Sequence, residues 1–230
     1  VELLLASGNA EGLVTNRRRG DGLVESELGI LWARPAGGKG FLAVQAAIHP
    51  TILPAANLNY SADFPGALVR CLERRGFGAM FLNGALGDQA PAGLRGEDGT
   101  ARLEAFGEDL AARILGAMEK GTRSLEAKMD MRAFQALLPP SVFTPWVPSS
   151  ADVQVLELGN HVLYTLPGEP VAELGRDFRA RARSLGYASS WLLGLANDHL
   201  GYFDTFEGFR RNTYEALLTF HGPGASTALL

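Results

Sequence analysis

The chain has 230 residues, 47% of them hydrophobic and 20% charged, so it can bury a substantial core as one domain or as two lobes. Its formal net charge of −4 and the absence of a basic run longer than residues 17–19 argue against nucleic acid or an anionic membrane as a partner. The single cysteine, Cys71, excludes a disulfide framework and a thiolate metal cluster, and no stretch is apolar enough for a membrane span.

The first half of the chain predicts two strands followed by two helices. Residues 25–38 and 39–50 have the pattern of hairpin strands joined by a Gly-Gly turn. A helix is predicted over 65–75, with a proline in its first turn. The clearest helix spans 101–119, because apolar residues at spacings of three, four and four share one face: Leu103, Phe106, Leu110 and Ile114.

The second half predicts further strands, one helix and a helix-like end. Residues 120–150 are rich in proline and mixed charge, so we interpret them as a surface connection and a candidate lobe boundary. Residues 152–169 predict a hairpin that turns at Gly159-Asn160, followed by a helix over 170–185 and a core strand over 187–198. Hairpins among alternating strands and helices favour an α/β (α+β) fold, with a mixed sheet, flanking helices and an active site at strand ends.

Three polar residues follow buried strands and are the first candidates for a site: His49, Glu169 and Tyr202. His49 precedes a proline, which restricts its backbone, and it is a candidate metal ligand or general base; the alternative is a bond to a backbone carbonyl. Glu169 stands between two prolines and is a candidate ligand or base, or else an N-cap or first-turn acid for the helix at 170. Tyr202 by itself is weak, because tyrosine often only packs.

The other titratable residues leave their roles open. His161, at the start of a hairpin strand, is interpreted as structural, whereas His199 and His221 stay candidates. Asp63 and Asp88 lie in Gly/Pro turns, where a turn-forming role competes with a catalytic one. The sequence has no G-x-S-x-G, P-loop, G-x-G-x-x-G after a strand, or H-E-x-x-H motif, so a covalent serine or cysteine hydrolase is not supported.

These residues belong to an ordered series of blocks that resembles the neutral (neutral/alkaline, non-lysosomal) ceramidase family. The resemblance runs from TNRRRG at 15–20 to HGPGAS at 221–226. Between these ends the blocks are Asn16-Arg17, IHPT at 48–51, SADFPG at 61–66, NGALGDQAP at 83–91, PGE at 167–169, GLANDHLGYFDTFEGF at 194–209 and TYEA at 213–216. No single block would be specific, but their common order points to this superfamily.

The resemblance implies a zinc amidohydrolase that cleaves the amide of N-acylsphingosine. His49, Glu169 and Tyr202 look like zinc ligands, and Arg17 and Tyr214 look like the arginine and second tyrosine of the family's active site. A site of nitrogen and oxygen ligands suits zinc, which lowers the pKa of a bound water and polarises the amide carbonyl. Arg17 and Tyr214 would then donate hydrogen bonds to the oxyanion of the tetrahedral intermediate.

Two departures from the family pattern affect what the resemblance implies. The family has a His-Thr-His-Ser-Gly-Pro block before the arginine that supplies a further histidine ligand, and this sequence begins at Val1, after that point. We therefore expect residues 1–230 to be part of one catalytic domain that lacks its N-terminal portion, in a short bacterial-type relative. The family motif Gly-Asp-x-Ser-Pro is Gly-Asp-Gln-Ala-Pro here, so Ala90 replaces a serine and cannot donate a hydrogen bond.

The sequence thus predicts a zinc-dependent hydrolase of a linear amide, with one zinc and a small-molecule or lipid amide as substrate. Ala90 keeps two alternatives open. One is a catalytically impaired module that binds metal or lipid, and the other is a hydrolase of a different ester or amide. Neither nucleic acid nor a transmembrane segment is expected, and the sequence predicts neither the oligomeric state nor the localisation.

Overall fold

The computed structural model describes residues 1–18, 22–126, 128–141, 143 and 145–230, and it divides into two compact units. The first unit comprises Val1–Thr15, Val24–Leu82 and Ala90–Leu125, and the second comprises Asn16–Leu23, Asn83–Gln89 and Glu126–Leu230. Because the chain passes between the units several times, neither unit is one continuous segment. That residues 1–230 form part of one larger catalytic domain stays a prediction.

The secondary structure of the described residues alternates strands with helices, as an α/β fold requires. The strands are β1 (Glu2–Asn9), β2 (Val14–Asn16), β3 (Glu27–Arg34), β4 (Phe41–Ala46), β5 (Gly78–Asn83), β6 (Gln89–Pro91), β7 (Arg123–Ser124), β8 (Met129–Leu137), β9 (Ser150–Leu158), β10 (His161–Thr165), β11 (Glu169–Pro170), β12 (Ser189–Leu193) and β13 (Tyr202–Phe203). The helices are α1 (Asp63–Arg74), α2 (Gly99–Lys120), α3 (Ala172–Ser184), α4 (Phe206–Arg210), α5 (Tyr214–Leu217) and α6 (Gly224–Leu229).

The first unit is a five-stranded sheet in the order β5-β4-β3-β1-β7, with α1 and α2 beside it. Strands β3 and β4 form the predicted antiparallel hairpin, in which Ile30 faces Val44. The predicted face of α2 is buried: Leu103, Phe106, Leu110 and Ile114 are each at most 6% exposed. The apolar periodicity of α2 therefore predicted its packing correctly, because such a stripe lowers the free energy only when it is removed from water.

The second unit has a mixed four-stranded sheet in the order β12-β10-β9-β8. Strands β9 and β10 are antiparallel and turn at Gly159, which has a φ of +58° that glycine adopts without steric cost. Strands β10 and β12 are parallel, and α3 is the helix between them. This unit has its own apolar core, in which Val153, Leu166 and Val171 are almost fully buried. The mixed sheet and its flanking helices confirm the predicted fold class.

One prediction from the sequence is wrong in this unit. Residues 120–150 were expected to be only a connection, but they include β8, which pairs antiparallel with β9 over nine residues. Most side chains of β8 are exposed, so the strand has no buried face to produce an alternating apolar pattern. Residues 150–158 also supply the main-chain partners of this edge strand, and such pairing is not visible in local sequence.

In the part of the chain that the structure describes, the helices are too short or too polar to cross a membrane.

Candidate functional site

Glu169 and Tyr202 lie side by side because their short strands pair. Strands β11 and β13 are parallel, with Glu169 opposite Tyr202, and the amide of Glu169 donates to the carbonyl of Gly201 over 3.0 Å. The two segments approach so closely that a Cβ on Gly168 would collide with the carbonyl oxygen of Gly201 and the ring of Phe203. Gly168 is thus required by the close approach that brings these two side chains together.

The helix-capping interpretation of Glu169 is not what the structure shows. The N-cap of α3 is Val171, which makes no side-chain capping bond. The carboxylate that accepts from the helix start belongs to Asp88, whose Oδ1 lies 2.9 Å from the amide nitrogen of Ala172. Asp88 is fully buried and also accepts from Asn16 over 2.7 Å. Asp88 therefore has a structural role that satisfies the helix terminus, and Glu169 remains available to the site.

A chain of side-chain hydrogen bonds connects the predicted site residues of the second unit. The Nη2 of Arg17 donates to the hydroxyl of Tyr202 over 3.1 Å, and that hydroxyl is also hydrogen-bonded to Glu169. The Oε1 of Glu169 lies 3.1 Å from Nε2 of His199. Glu169 and Tyr202 are both 9% exposed, whereas the side chain of His199 is 59% exposed. The chain of contacts thus runs from a buried interior to the surface.

Tyr214 completes this group from α5. The guanidinium carbon of Arg17 lies 5.2 Å from the centre of the Tyr214 ring and 5.5 Å from the centre of the Tyr202 ring. The two rings meet edge to face at 5.8 Å. The two distances from the Arg17 guanidinium to the ring centres are within the range of cation–π attraction. Arg17 is therefore held against two tyrosines, and one of them, Tyr214, is 58% exposed to solvent.

Behind Arg17 lies a buried cluster of charged residues, which we call the Arg18 cluster: Arg18, Glu215 and Asp204. Arg18 donates from Nε to Glu215 over 2.8 Å and from Nη2 to Asp204 over 2.7 Å. The second oxygen of Glu215 accepts from Nε of Arg17 over 3.0 Å. Glu215 and Asp204 are at most 1% exposed, so their charges are stabilised by these partners rather than by water.

These contacts shift the proton affinity of the site. Burial raises the pKa of Tyr202, against the opposing effect of Arg17, to about 12, and the bond to Glu169 adds to the rise. Burial disfavours the charged form of Arg17, but its bonds to Tyr202 and Glu215 outweigh burial and raise its pKa. Burial likewise opposes ionisation of Glu215, yet the bond from Arg18 prevails and the pKa of Glu215 is lowered. At neutral pH the site therefore holds a neutral phenol beside a charged arginine.

Arg17 and Tyr214 line an open cleft within the second unit, whereas Glu169 and Tyr202 are not among its lining residues. The cleft has a volume of about 1260 Å³, and its lining includes Arg17, Arg18, Glu173, Phe206, Tyr214 and Glu215. The exposed rings of Phe206 and Tyr214 give it apolar surface, and the arginines give it hydrogen-bond donors. A cleft with a few convergent polar groups is the usual form of a small-molecule site.

His49 lies in the first unit, three residues after β4 ends, and it is 9% exposed. The loop that follows it is held by Asp63, whose carboxylate accepts from the amides of Ile52 and Leu53 over 3.2 and 2.8 Å. Asp63 adopts a φ of +51°, which is uncommon for a residue with a side chain. Of the two roles left open for Asp63, these bonds assign the turn-forming one.

The other two histidines have structural surroundings. His161 is fully buried, packs edge to face on Trp191 at 4.9 Å, and lies 2.7 Å from the hydroxyl of Ser189. His221 is 3% exposed, and its Nδ1 lies 2.8 Å from the carbonyl of Pro139. These contacts are with Trp191, Ser189 and Pro139, whereas His199, which sequence reasoning left open, contacts Glu169 directly.

Sequence reasoning missed the residues that support Arg17. Glu215 and Arg18 were part of the motif blocks, but no role was assigned to either, and Asp204 was not singled out. The available signal was that one block contains two adjacent arginines, while two other blocks contain the acids Asp204 and Glu215. Arg19, the third arginine of the run, lies outside the described residues.

The donor atoms around Glu169 fit part of a zinc site. A carboxylate and a phenol oxygen meet there in a buried position, and an imidazole nitrogen lies within 3.1 Å of the carboxylate. Oxygen and imidazole nitrogen donors are ligands that zinc accepts. No group of three or more His, Cys, Asp or Glu side chains able to hold a metal ion occurs among the described residues. Glu169 and Tyr202 therefore form an incomplete ligand set.

Comparison with known proteins points to one family. Neutral ceramidase A of Dictyostelium discoideum is 38% identical over 84 residues, and neutral ceramidase 3 of Arabidopsis thaliana is 32% identical over 85 residues. Each match covers 34% of this chain and 12% of the relative. No protein-family model matches the chain.

A solved structure extends the likeness to nearly the whole chain. The neutral ceramidase of Pseudomonas aeruginosa superposes with a TM-score of 0.87 over 99% of this chain and 50% of that protein, at 17% identity. The chain thus spans about half the length of the solved relative and a smaller part of the curated ones. The chain is thus similar in sequence to neutral ceramidases over about a third of its length, and it has the fold of the solved one.

Proposed function

We propose that the protein to which this chain belongs hydrolyses a linear amide, of the N-acylsphingosine type, at the site around Arg17, Tyr202 and Tyr214. The observation that supports the proposal is the continuous set of side-chain contacts from Glu215 through Arg17 and Tyr202 to Glu169. The residues that the family resemblance assigns to the site within the second unit are therefore neighbours. They come from distant parts of the sequence, so chance grouping is a poor explanation.

Glu169 and Tyr202 would hold zinc, and the resemblance adds His49 of the first unit as a further ligand. The assignment of His49 depends on the sequence motifs. Zinc in such a site supplies Lewis-acid polarisation of a carbonyl and activates water near neutral pH. The contact between Glu169 and His199 would orient the carboxylate, as partners of metal ligands commonly do.

Arg17 and Tyr214 would stabilise the negative charge that develops on the amide oxygen. The guanidinium of Arg17 has five N–H groups, more than its bonds to Glu215 and Tyr202 use, so it can also donate to a substrate oxygen. Tyr214 is exposed in the same cleft and carries a second donor. Donors that are held in place before the reaction avoid the cost of reorganisation, which makes them effective in a transition state.

The proposal is tested on the full-length protein with zinc analysis and an N-acylsphingosine assay. We expect about one zinc per chain in the wild type and in a Glu157→Gln control, and loss of zinc in Glu169→Gln and His49→Ala. Glu157 also lies near an arginine, Arg132, at 3.8 Å, but outside this group. Tyr214→Phe should keep its zinc and lose roughly 10²–10³-fold in kcat, the usual effect of one oxyanion donor. Hydrolysis that survives Glu169→Gln with zinc unchanged would contradict the proposal.

A non-hydrolytic binding module is the second candidate, because Ala90 replaces the serine of the family motif. This function predicts that the full-length protein binds zinc and N-acyl lipid without turnover across a panel of amides and esters. Turnover that depends on Tyr214 would exclude it. Turnover of an ester panel in preference to amides would instead indicate a hydrolase with a different scissile bond.

A further inference from the structure

The carboxylate of Glu215 binds two adjacent arginines at once. Its Oε1 accepts from Nε of Arg17 over 3.0 Å, and its Oε2 accepts from Nε of Arg18 over 2.8 Å. Glu215 is 1% exposed, so its charge has these two partners in place of water. Because each oxygen serves one arginine, the carboxylate separates two like charges and sets the position of both.

Arg18 is in turn anchored, which makes Glu215 a firm support rather than a mobile one. Asp204 is fully buried and accepts from Nη2 of Arg18 over 2.7 Å. Asp204 also accepts from the hydroxyl of Thr213 over 2.5 Å, and Thr213 is the N-cap of α5. The Arg18 cluster therefore ties the backbone of α5, which carries both Tyr214 and Glu215, to the segment that carries the arginines.

Tyr214 and Glu215 are consecutive residues, and both contact the guanidinium of Arg17. Glu215 holds Nε, while the Tyr214 ring lies 5.2 Å from the guanidinium carbon. With Nε held, the far end of the guanidinium reaches Tyr202, to which Nη2 donates over 3.1 Å. An arginine side chain has many rotamers, and the Nε contact is one of the contacts that restrict those of Arg17.

We propose that Glu215 is a positioning residue that orients Arg17 toward Tyr202 and the cleft. The effect on turnover rests on the proposed function, whereas the effect on the orientation of Arg17 does not. To bind both arginines at once, residue 215 needs two acceptor oxygens, which a carboxylate has. Glutamine has the same shape but one acceptor oxygen, and its amide NH₂ would face an arginine donor. Glu215→Gln should therefore release Arg17 or Arg18, and Arg17, whose side chain is 30% exposed, is the less anchored of the two.

The first measurement needs neither a substitution at Glu215 nor activity. In the NMR spectrum of the full-length wild type, with Arg17→Lys used for assignment, the Nε–H of Arg17 should exchange slowly and its Nη protons should be resolved. A rapidly exchanging Nε–H with averaged Nη signals would overturn the inference. This NMR measurement also tests the positioning role of Glu215 if Glu215→Gln does not fold.

The second measurement is a crystal structure of Glu215→Gln beside the Glu157→Gln control. We expect the distance between Nη2 of Arg17 and the hydroxyl of Tyr202 to lengthen beyond hydrogen-bond range in Glu215→Gln and to stay near 3.1 Å in the control. An unchanged Arg17 in the variant would overturn the inference. The NMR and crystallographic measurements remain informative even if the wild type hydrolyses no amide. Failure of the proposed function can therefore be distinguished from failure of the positioning role.

The third measurement is a double-mutant cycle on amide hydrolysis. Glu215→Gln should lower kcat by ~10²-fold, as small displacements of catalytic groups do, with a smaller change in KM. In an Arg17→Lys background the same substitution should have little further effect on kcat, because the guanidinium that Glu215 orients toward the cleft is then absent. Equal losses in both backgrounds would show that Glu215 acts by general support of the fold, and would contradict the inference.

Discussion

The two units place their ion pairs in opposite surroundings. In the second unit the Arg18 cluster is interior: the side chain of Arg18 is 16% exposed, and those of Asp204 and Glu215 at most 1%. In the first unit α1 and α2 are joined by exposed pairs, such as Arg74 with Glu108 at 2.6 Å, where both side chains are 43% exposed or more. The bonds have similar lengths, so burial rather than geometry separates the two sets.

The contribution of an ion pair to stability depends on whether the pair is exposed or buried. An exposed pair is screened by water and salt and contributes roughly 0–1 kcal/mol to stability. A buried pair contributes little relative to an apolar replacement, but removal of one partner leaves an uncompensated charge and costs about 3–5 kcal/mol. The Arg18 cluster is therefore costly to disturb, which suits it to hold Arg17, whereas the pairs on α1 and α2 are replaceable.

The largest effect should come from breaking the Arg18 cluster. Asp204→Ala removes the acceptor of Arg18 and of Thr213, and we expect a loss of about 3–5 kcal/mol in the free energy of unfolding by urea at pH 7. Asp177→Ala is the matched control, because Asp177 pairs with Arg176 at 2.9 Å while more than half exposed. It should change stability by less than about 0.5 kcal/mol. Similar losses in the two variants would contradict the comparison.

The second effect depends on pH. The pKa of Glu215 is lowered in the folded state, because the bond from Arg18 outweighs burial. Its contribution is therefore complete above the ordinary glutamate pKa of about 4.3 and is lost as pH falls through the lower folded value. The free energy of unfolding of the wild type should exceed that of Glu215→Gln by about 2 kcal/mol at pH 7, a value typical of hydrogen bonds to charged groups. This difference should shrink below about pH 4. Unfolding curves from pH 7 to 3 measure it, and a pH-independent difference would refute this assignment.

A smaller effect of opposite sign is expected at Glu173. Burial raises the pKa of Glu173, and the nearby charge of Asp88 adds to the rise; Arg18 lies 3.9 Å away and opposes it only in part. The folded state binds the proton more tightly, so ionisation at neutral pH costs stability. Glu173→Gln should stabilise the protein by about 0.5–1 kcal/mol at pH 7 and by almost nothing near pH 4. Thermal unfolding at both pH values tests this, and destabilisation at pH 7 would show that the charge is needed.

The smallest effect should come from the exposed pairs. Hydrogen bonds from Cys71, Arg75 and Arg74 lower the pKa of Glu108 to about 2. Its contribution is present above the ordinary glutamate pKa and is lost only as pH falls toward 2. Because Glu108 is exposed, solvent screens the gain, and Glu108→Gln should cost less than about 1 kcal/mol at pH 7. The cost should fall further in 1 M salt. A larger, salt-independent loss would remove the distinction between the two sets of pairs.

Local pattern was sufficient for elements that have one buried face. The spacing of Leu103, Phe106 and Leu110 predicted α2, and the turn residues at Gly159 predicted the hairpin of β9 and β10. Strand β8 was missed because its side chains are mostly exposed, which leaves no apolar alternation. The strand is instead defined by main-chain pairing with β9, which the local sequence does not reveal. The short helix α6 was missed because it begins after Pro223 in a Gly-rich segment that reads as a loop.

The candidate site was predicted in part. Glu169, Tyr202, Arg17 and Tyr214 were chosen from the sequence, and the structure places these four in contact within the second unit, while their chemical roles stay proposals. The role of Asp88 could not be chosen, because a buried acid in a turn looks the same in sequence whether it caps a helix or ionises for catalysis. Its partner, the amide of Ala172, lies 84 residues away.

The sequence by itself determined the residue types of the candidate site, the mixed α/β class and most of the elements, because these depend on side-chain chemistry and on periodicity along the chain. The tertiary structure alone decided which charges are buried. Arg18 and Arg74 are equally basic in sequence, yet one lies among buried carboxylates and the other is 55% exposed on a helix. That difference depends on desolvation, and desolvation is set by residues distant in sequence that fold over the charge.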